Sequence, residues 1–166
     1  DVNNLLDPYE GIWKYQNGNQ ILLIKLKKVY STHVHTTADV LVGEYQYVDE
    51  NGVEKINTLN DFDIPNPNQD FHAIYGNCIN NFNKPMPSNY LSNIKKVVLL
   101  YKDPIKEAAG DFYMAKAIVN GQEAIQLFVK TDGNQVIDNS TPGHLILEHH
   151  YMGVTIPKGW YTLIKQ

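Results

Sequence analysis

Arginine is absent from this 166-residue chain, whose 14 basic residues are all lysine. The planar fork that grips phosphate or carboxylate at two points is therefore missing, and any anion would have to be met by lysine or by backbone donors. Cysteine occurs once, at Cys78, which excludes an intrachain disulfide and a multi-cysteine metal cluster. Its expected place is as a small hydrophobe near a strand end rather than as a reactive thiol. No run approaches the roughly 18 consecutive apolar residues of a membrane helix, and no aromatic girdles of an outer-membrane barrel are evident, so no membrane span is expected. Charge is sparse: 19% of residues are charged and the net charge is −4, which offers no field for a phosphate backbone. Nucleic acid is not an expected partner. The chain also lacks a G-x-S-x-G nucleophile elbow, a phosphate loop and a dinucleotide fingerprint, and no cofactor is expected.

What is present is β structure. Residues 11 to 28, GIWKYQNGNQILLIKLKK, read as a complete hairpin. Asn17-Gly18 offers the two positive-φ residues of a type I′ turn, which would set Trp13 opposite Leu22 and Gly11 opposite Ile24 on one face. The same dipeptide recurs at Asn51-Gly52 and Asn120-Gly121, each flanked by strand-like residues. The third hairpin would pair Met114 with Leu127 and Phe112 with Val129, leaving Tyr113, Ala115, Ala117, Ala124 and Phe128 on the other face. In DVLVGEYQYVD, Leu41, Gly43, Tyr45 and Tyr47 alternate with Val42, Glu44 and Gln46, the mark of a half-buried strand. VEKINTL reads as an edge strand, a short strand around Phe71 to Tyr75 ends at Gly76-Asn77, and IKKVVLLY reads as a central strand. DPIKEAAG, residues 103–110, has an Asp cap, a following Pro and a closing Gly, and predicts one helical turn.

At this length and with 43% hydrophobic residues, one domain spanning 1–166 can bury its own core, with 1–8 as a polar lead-in. The expected fold is all-β: an antiparallel meander of about ten strands, with at most one or two short helical turns, forming a lipocalin-like barrel or, alternatively, a two-sheet β-sandwich.

Two resemblances sharpen this. Tyr9-x-Gly11-x-Trp13 resembles the G-x-W that opens lipocalin-type barrels, which implies that Gly11 and Trp13 are structural and that Trp13 plugs a closed end. In that family an Arg from a late strand stacks on the Trp, so here a Lys would have to substitute. Over nearly the whole chain, the sequence is similar to a family of small exported uncharacterised proteins of flavobacterial type. The shared features are Tyr9 to Tyr15, Gly43 to Tyr45 with Asn51-Gly52-Val53-Glu54, Gly76 to Ile79, and Ile156-Pro157 with Leu163 to Gln166. This resemblance implies a secreted or periplasmic β domain, anchored at the envelope if a further segment provides for it, and no established activity. Asp1 in place of an initiator Met reads as a processed end after export.

Candidate sites follow from residue chemistry. His33 and His35 would share one side of an extended segment, as metal ligands on strands do, with His149 or His150 near Glu148 as a third donor. Asp61, Asp63, Asn66, Asn68 and Asp70 crowd oxygen donors into one loop, as hard cations prefer, although these residues also favour turns for their own sake. Solvated strand and loop residues are the expected outcome for both groups. Glu44, Glu123 and Glu148 could support hydrolysis only if two of them converge. Among 11 tyrosines and two tryptophans, Tyr45, Tyr47, Tyr113, Trp160 and Tyr161 are the candidates for ligand contact, because aromatic rings enclose apolar molecules or stack on sugars. The expected function is therefore a non-enzymatic exported binding domain for a small hydrophobic ligand or a surface partner. The alternatives are a metal-assisted or carboxylate-dependent hydrolase and a carbohydrate-binding module that takes a glycan.

Overall fold

Period-2 alternation sends one half of each strand's side chains inward, and here those halves meet around a single lumen. The computed structural model describes residues 4–33, 36–64, 71–80, 95–130 and 154–166. They form β1 (Gly11–Asn17), β2 (Gln20–His33), β3 (Thr36–Val48), β4 (Glu54–Asn57), β5 (Ile74–Asn80), β6 (Lys96–Asp103), β7 (Ala108–Val119), β8 (Gln122–Lys130) and β9 (Gly159–Lys165). Lone 3-10 turns occupy Asp7–Tyr9 and Leu59–Asp61. All pairings are antiparallel, and the order β1-β2-β3-β5-β6-β7-β8-β9 returns to β1, so the sheet closes on itself. β4 stands outside this ring, paired to the last residues of β3. The closed ring is the expected meander barrel, not the sandwich. At the β1–β9 seam Trp13 faces Lys165, Lys14 faces Ile164, and the Gln166 N–H donates to the Ile12 carbonyl at 2.9 Å.

The three expected reversals all occur, with different turn chemistry. At Asn120-Gly121 both φ values are positive, 51° and 79°, and Val119 pairs with Gln122, as a two-residue type I′ turn requires. Met114 faces Leu127 and Phe112 faces Val129, as expected. At the first hairpin only Gly18 has a positive φ, and the loop is Gly18-Asn19, so Trp13 faces Ile24, Gly11 faces Leu26 and Tyr15 faces Leu22. The register differs from expectation by two residues, which leaves every side chain on its expected face. The reversal before β4 spans Asp49 to Gly52, where the Asp49 carboxylate accepts the N–H groups of Asn51 and Val53, both at 2.9 Å.

Three local expectations are corrected. Residues 104–107 form a turn and not a helical one; Asp103 Oδ1 accepts the N–H groups of Ile105 and Lys106, each at 3.0 Å, and the chain turns straight back into β7. β5 does not end at Gly76-Asn77 but continues to Asn80 through a bulge between Tyr75 and Cys78, and Cys78 is exposed. The lead-in is not merely polar, because Leu6 is buried and the Asp7–Tyr9 turn carries Tyr9 into the core. Nine strands are present among the described residues, against about ten expected.

Large inward side chains form the core of the barrel, among them Trp13, Tyr45, Tyr47, Tyr101 and Phe112. Small neighbours make room for them: Leu26 lies between Gly11 and Gly43, and Tyr101 faces Gly110. A Cβ at Gly110 would come within 2.6 Å of both the Lys130 carbonyl oxygen and the Tyr101 ring. Gly110→Ala is expected to destabilise the fold by about 1–3 kcal/mol, as overpacking does, read as a lower urea midpoint with an unchanged m-value.

Candidate functional site

The two ends of the lumen are built from different chemistry. At the end where β1 begins, the Asp7–Tyr9 turn and the ring of Trp13 close the barrel. Trp13 Nε1–H donates to the Tyr9 carbonyl at 2.7 Å, and Tyr9 Oη–H donates to the Met114 carbonyl at 3.4 Å. Lys116 Nζ and Lys165 Nζ lie 4.4 and 5.4 Å from the Trp13 ring centre. Two lysine ammonium groups thus lie against the Trp13 ring. Glu123 joins them, with Oε2 at 2.6 Å from Lys165 Nζ and Oε1 at 3.7 Å from Lys116 Nζ. Burial, reinforced by the charge of Lys165, lowers the pKa of Lys116, while Glu123 opposes the shift.

At the other end the inward residues are tyrosines. Tyr15 and Tyr161 meet edge to face at 4.9 Å, and Gln20 bridges Tyr15 to Tyr47, donating to Tyr47 Oη at 2.9 Å. Tyr101 stacks on Phe112 at 4.2 Å, and Tyr45 packs edge-on against both rings. Tyr45 Oη–H donates to the Lys102 carbonyl at 2.8 Å, and Tyr161 Oη–H to the Pro157 carbonyl at 2.8 Å. Tyr101 Oη and Thr155 Oγ1 are buried and have no hydrogen-bond partner among the described residues. Beside them Asp103 is buried, its Oδ2 accepting the Thr155 N–H at 2.5 Å and its Oδ1 capping the 104–107 turn. Burial first, and the Asp103 charge second, push the pKa values of Tyr45 and Tyr101 well above the ordinary phenol value.

A third cluster lies on the outer side of the wall. β3 changes neighbour along its length: Leu41 to Gly43 pair with β5, and Gln46 to Val48 pair with β4. At the gap, Thr58 bonds both backbone groups of Tyr45, and the fully buried Glu44 accepts from Ala73 N–H at 3.3 Å and lies 2.8 Å from His72 Nδ1. Phe62 lids the neighbouring wall, with the ammonium groups of Lys25 and Lys27 at 4.1 and 4.5 Å from its ring centre. The Glu44–His72 couple therefore supplies hydrogen bonds that a continuous ladder would have made. Its two members are 28 residues apart, and no local pattern in the sequence marks His72.

The expected ligand residues separate across the wall. Tyr45, Tyr47 and Tyr161 face the lumen at the tyrosine end, joined by Tyr15 and Tyr101. Tyr113 and Trp160 face outward and flank Phe128 on β7, β8 and β9. Phe128 and Trp160 are 5.1 Å apart with planes inclined by 50°, which is not a flat platform for a sugar ring. Asp61 and Asp63 are exposed, with Asp63 3.6 Å from Lys25 Nζ. His33 ends β2, but its side chain, like His35, Asn66, Asn68, Asp70, Glu148, His149 and His150, lies outside the described residues. Among the described residues no three His, Cys, Asp or Glu side chains come together as a metal site. Glu44 faces outward and Glu123 inward at the lysine end, so these two carboxylates do not share a face.

Two outcomes follow. His72→Ala removes one of the two hydrogen bonds that the buried Glu44 Oε1 makes and is expected to cost about 1–3 kcal/mol, as leaving a buried polar group underpaired does, measured by urea unfolding. Burial raises Tyr9 from its ordinary 10 to about 12. Because the unfolded chain ionises first, the stability that neutral Tyr9 contributes is complete below about pH 10 and is lost between about 10 and 12. Tyr45, Tyr47, Tyr101 and Tyr161 shift in the same direction. Thermal midpoints should therefore fall across this alkaline range, and Tyr9→Phe should blunt the fall.

No curated protein and no solved structure matches the chain significantly. A family model does: the chain, matched over residues 1–166, belongs to a family of unknown function, DUF6705.

Proposed function

We propose that the protein is a non-enzymatic binding barrel, working outside the cytoplasm, that takes a small apolar molecule at the tyrosine end of its lumen. The observation that carries this reading is the Tyr101 hydroxyl, wholly buried among aromatic rings and without a hydrogen-bond partner among the described residues. Leaving such a group unpaired costs about 1–3 kcal/mol, a cost that a bound polar group would offset. Tyrosines suit the task because each offers a flat apolar ring and one polar tip. The opposite end is plugged by Trp13, so one mouth is favoured over a channel. The compartment rests on the resemblance to exported proteins, and cell fractionation tests it separately.

Tyr101→Phe discriminates this role from a structural one. Removing an unpaired buried hydroxyl is expected to leave the thermal midpoint of the ligand-free protein unchanged or slightly raised. The same change should weaken uptake of a neutral solvatochromic dye. If the purified wild-type protein carries no small molecule by native mass spectrometry and takes up no such dye, the reading fails.

A further inference from the structure

The dipeptide Asn-Gly occurs three times in the chain, at Asn17, Asn51 and Asn120, and it has a covalent chemistry besides its use in turns. The backbone nitrogen of the glycine, its proton passing to water, can attack the asparagine Cγ. The bond from Cγ to the side-chain nitrogen breaks, ammonia leaves, and a five-membered succinimide forms. Water then opens the ring at one carbonyl or the other, giving aspartate or isoaspartate. Glycine puts no side chain in the way of the attack. The peptide between the two residues must rotate for it, so hydrogen bonds that hold this peptide oppose the reaction.

All three dipeptides are exposed, so access to water does not separate them. Their places within the reversals do. Asn51-Gly52 ends its turn: the Gly52 N–H donates to the Asp49 carbonyl at 3.0 Å, and the Asp49 carboxylate holds the flanking N–H groups of Asn51 and Val53, both at 2.9 Å. Asn17-Gly18 begins its turn. Asn17 closes the ladder opposite Gln20, and the first carbonyl of such a turn accepts from the fourth N–H, so the peptide leading to Gly18 is held through its oxygen. Asn120-Gly121 fills the two central places, between the closing pair Val119 and Gln122. Neither the Asn120 carbonyl nor the Gly121 N–H has a hydrogen-bond partner among the described residues. A Cβ built on Gly121 would meet nothing within 4 Å, so the peptide also has room to turn.

We propose that Asn120 is a site of spontaneous covalent modification in the folded protein, converting to aspartate and isoaspartate, and that the fold protects Asn17 and Asn51 from the same change. Either product adds a negative charge to a chain of net charge −4. Isoaspartate also adds a carbon to the main chain of the two-residue loop that joins β7 to β8.

The test is to age the full chain in mildly alkaline buffer, folded and in urea, and to follow each site by peptide mapping with mass spectrometry. An isoaspartyl methyltransferase marks the isoaspartate product. The rate in the folded chain relative to urea should be highest at Asn120, exceeding that at each other site by about fivefold for every hydrogen bond that must open there. A ratio at Asn17 or Asn51 that equals or exceeds that at Asn120 overturns the assignment. So does a folded chain whose Asn120 stays intact while the same residue converts in urea.

Discussion

The volume enclosed by eight strands is the constraint on which the rest of this structure depends. Such a ring is just wide enough for its own side chains to fill or to hold one small ligand, so large inward residues are matched by small ones nearby. Leu26 lies between two glycines, and Tyr101 faces a third. Trp13 consumes the space at one end and is held there by its own N–H and by two lysines. The aromatic residues left at the other end pack ring on ring, and their hydroxyls must find partners in a space with little water. Four of the tyrosines there find them in Gln20 or in backbone carbonyls, while Tyr101 does not. The candidate site is thus a by-product of filling a narrow tube with amphipathic rings.

A second constraint is the backbone accounting. β3 serves two neighbours on one side, and the step between them leaves N–H and carbonyl groups that no strand reaches. Thr58 and Glu44 reach them instead. A buried carboxylate at this position is costly in isolation, and His72 makes it tolerable. The same logic operates at Asp103, whose three accepted N–H groups tie the β6–β7 turn to the segment leading into β9.

Local information was enough for much of the fold. Asn120-Gly121 specified its own turn because both residues adopt positive φ, and the Phe112 and Met114 pairings followed from it. Asn17-Gly18 misplaced the register by two residues, since Gly18 alone needed the unusual backbone, yet the faces survived because the shift was even. The helical turn expected after Asp103 failed because the hairpin between β6 and β7 overrode a cap that looks the same in both settings. Site residues divide in the same manner. Alternation along β3 marked Tyr45 and Tyr47, but whether Tyr113 and Trp160 faced in or out depended on which side of β7 and β9 the ring would enclose, and that is decided by closure. His72 matters only through its contact across the wall with Glu44, and Tyr101 only through its buried place inside the closed ring, which no short motif encodes.

Closure also limits the strand edges that the fold presents. β4 is the one described strand outside the ring, four residues long, with Glu54 and Lys55 exposed and the Glu54 carboxylate occupied by Gln46 and Asn57. So short and charged a border is a poor template for strand-on-strand stacking for as long as the seam at Trp13 stays shut.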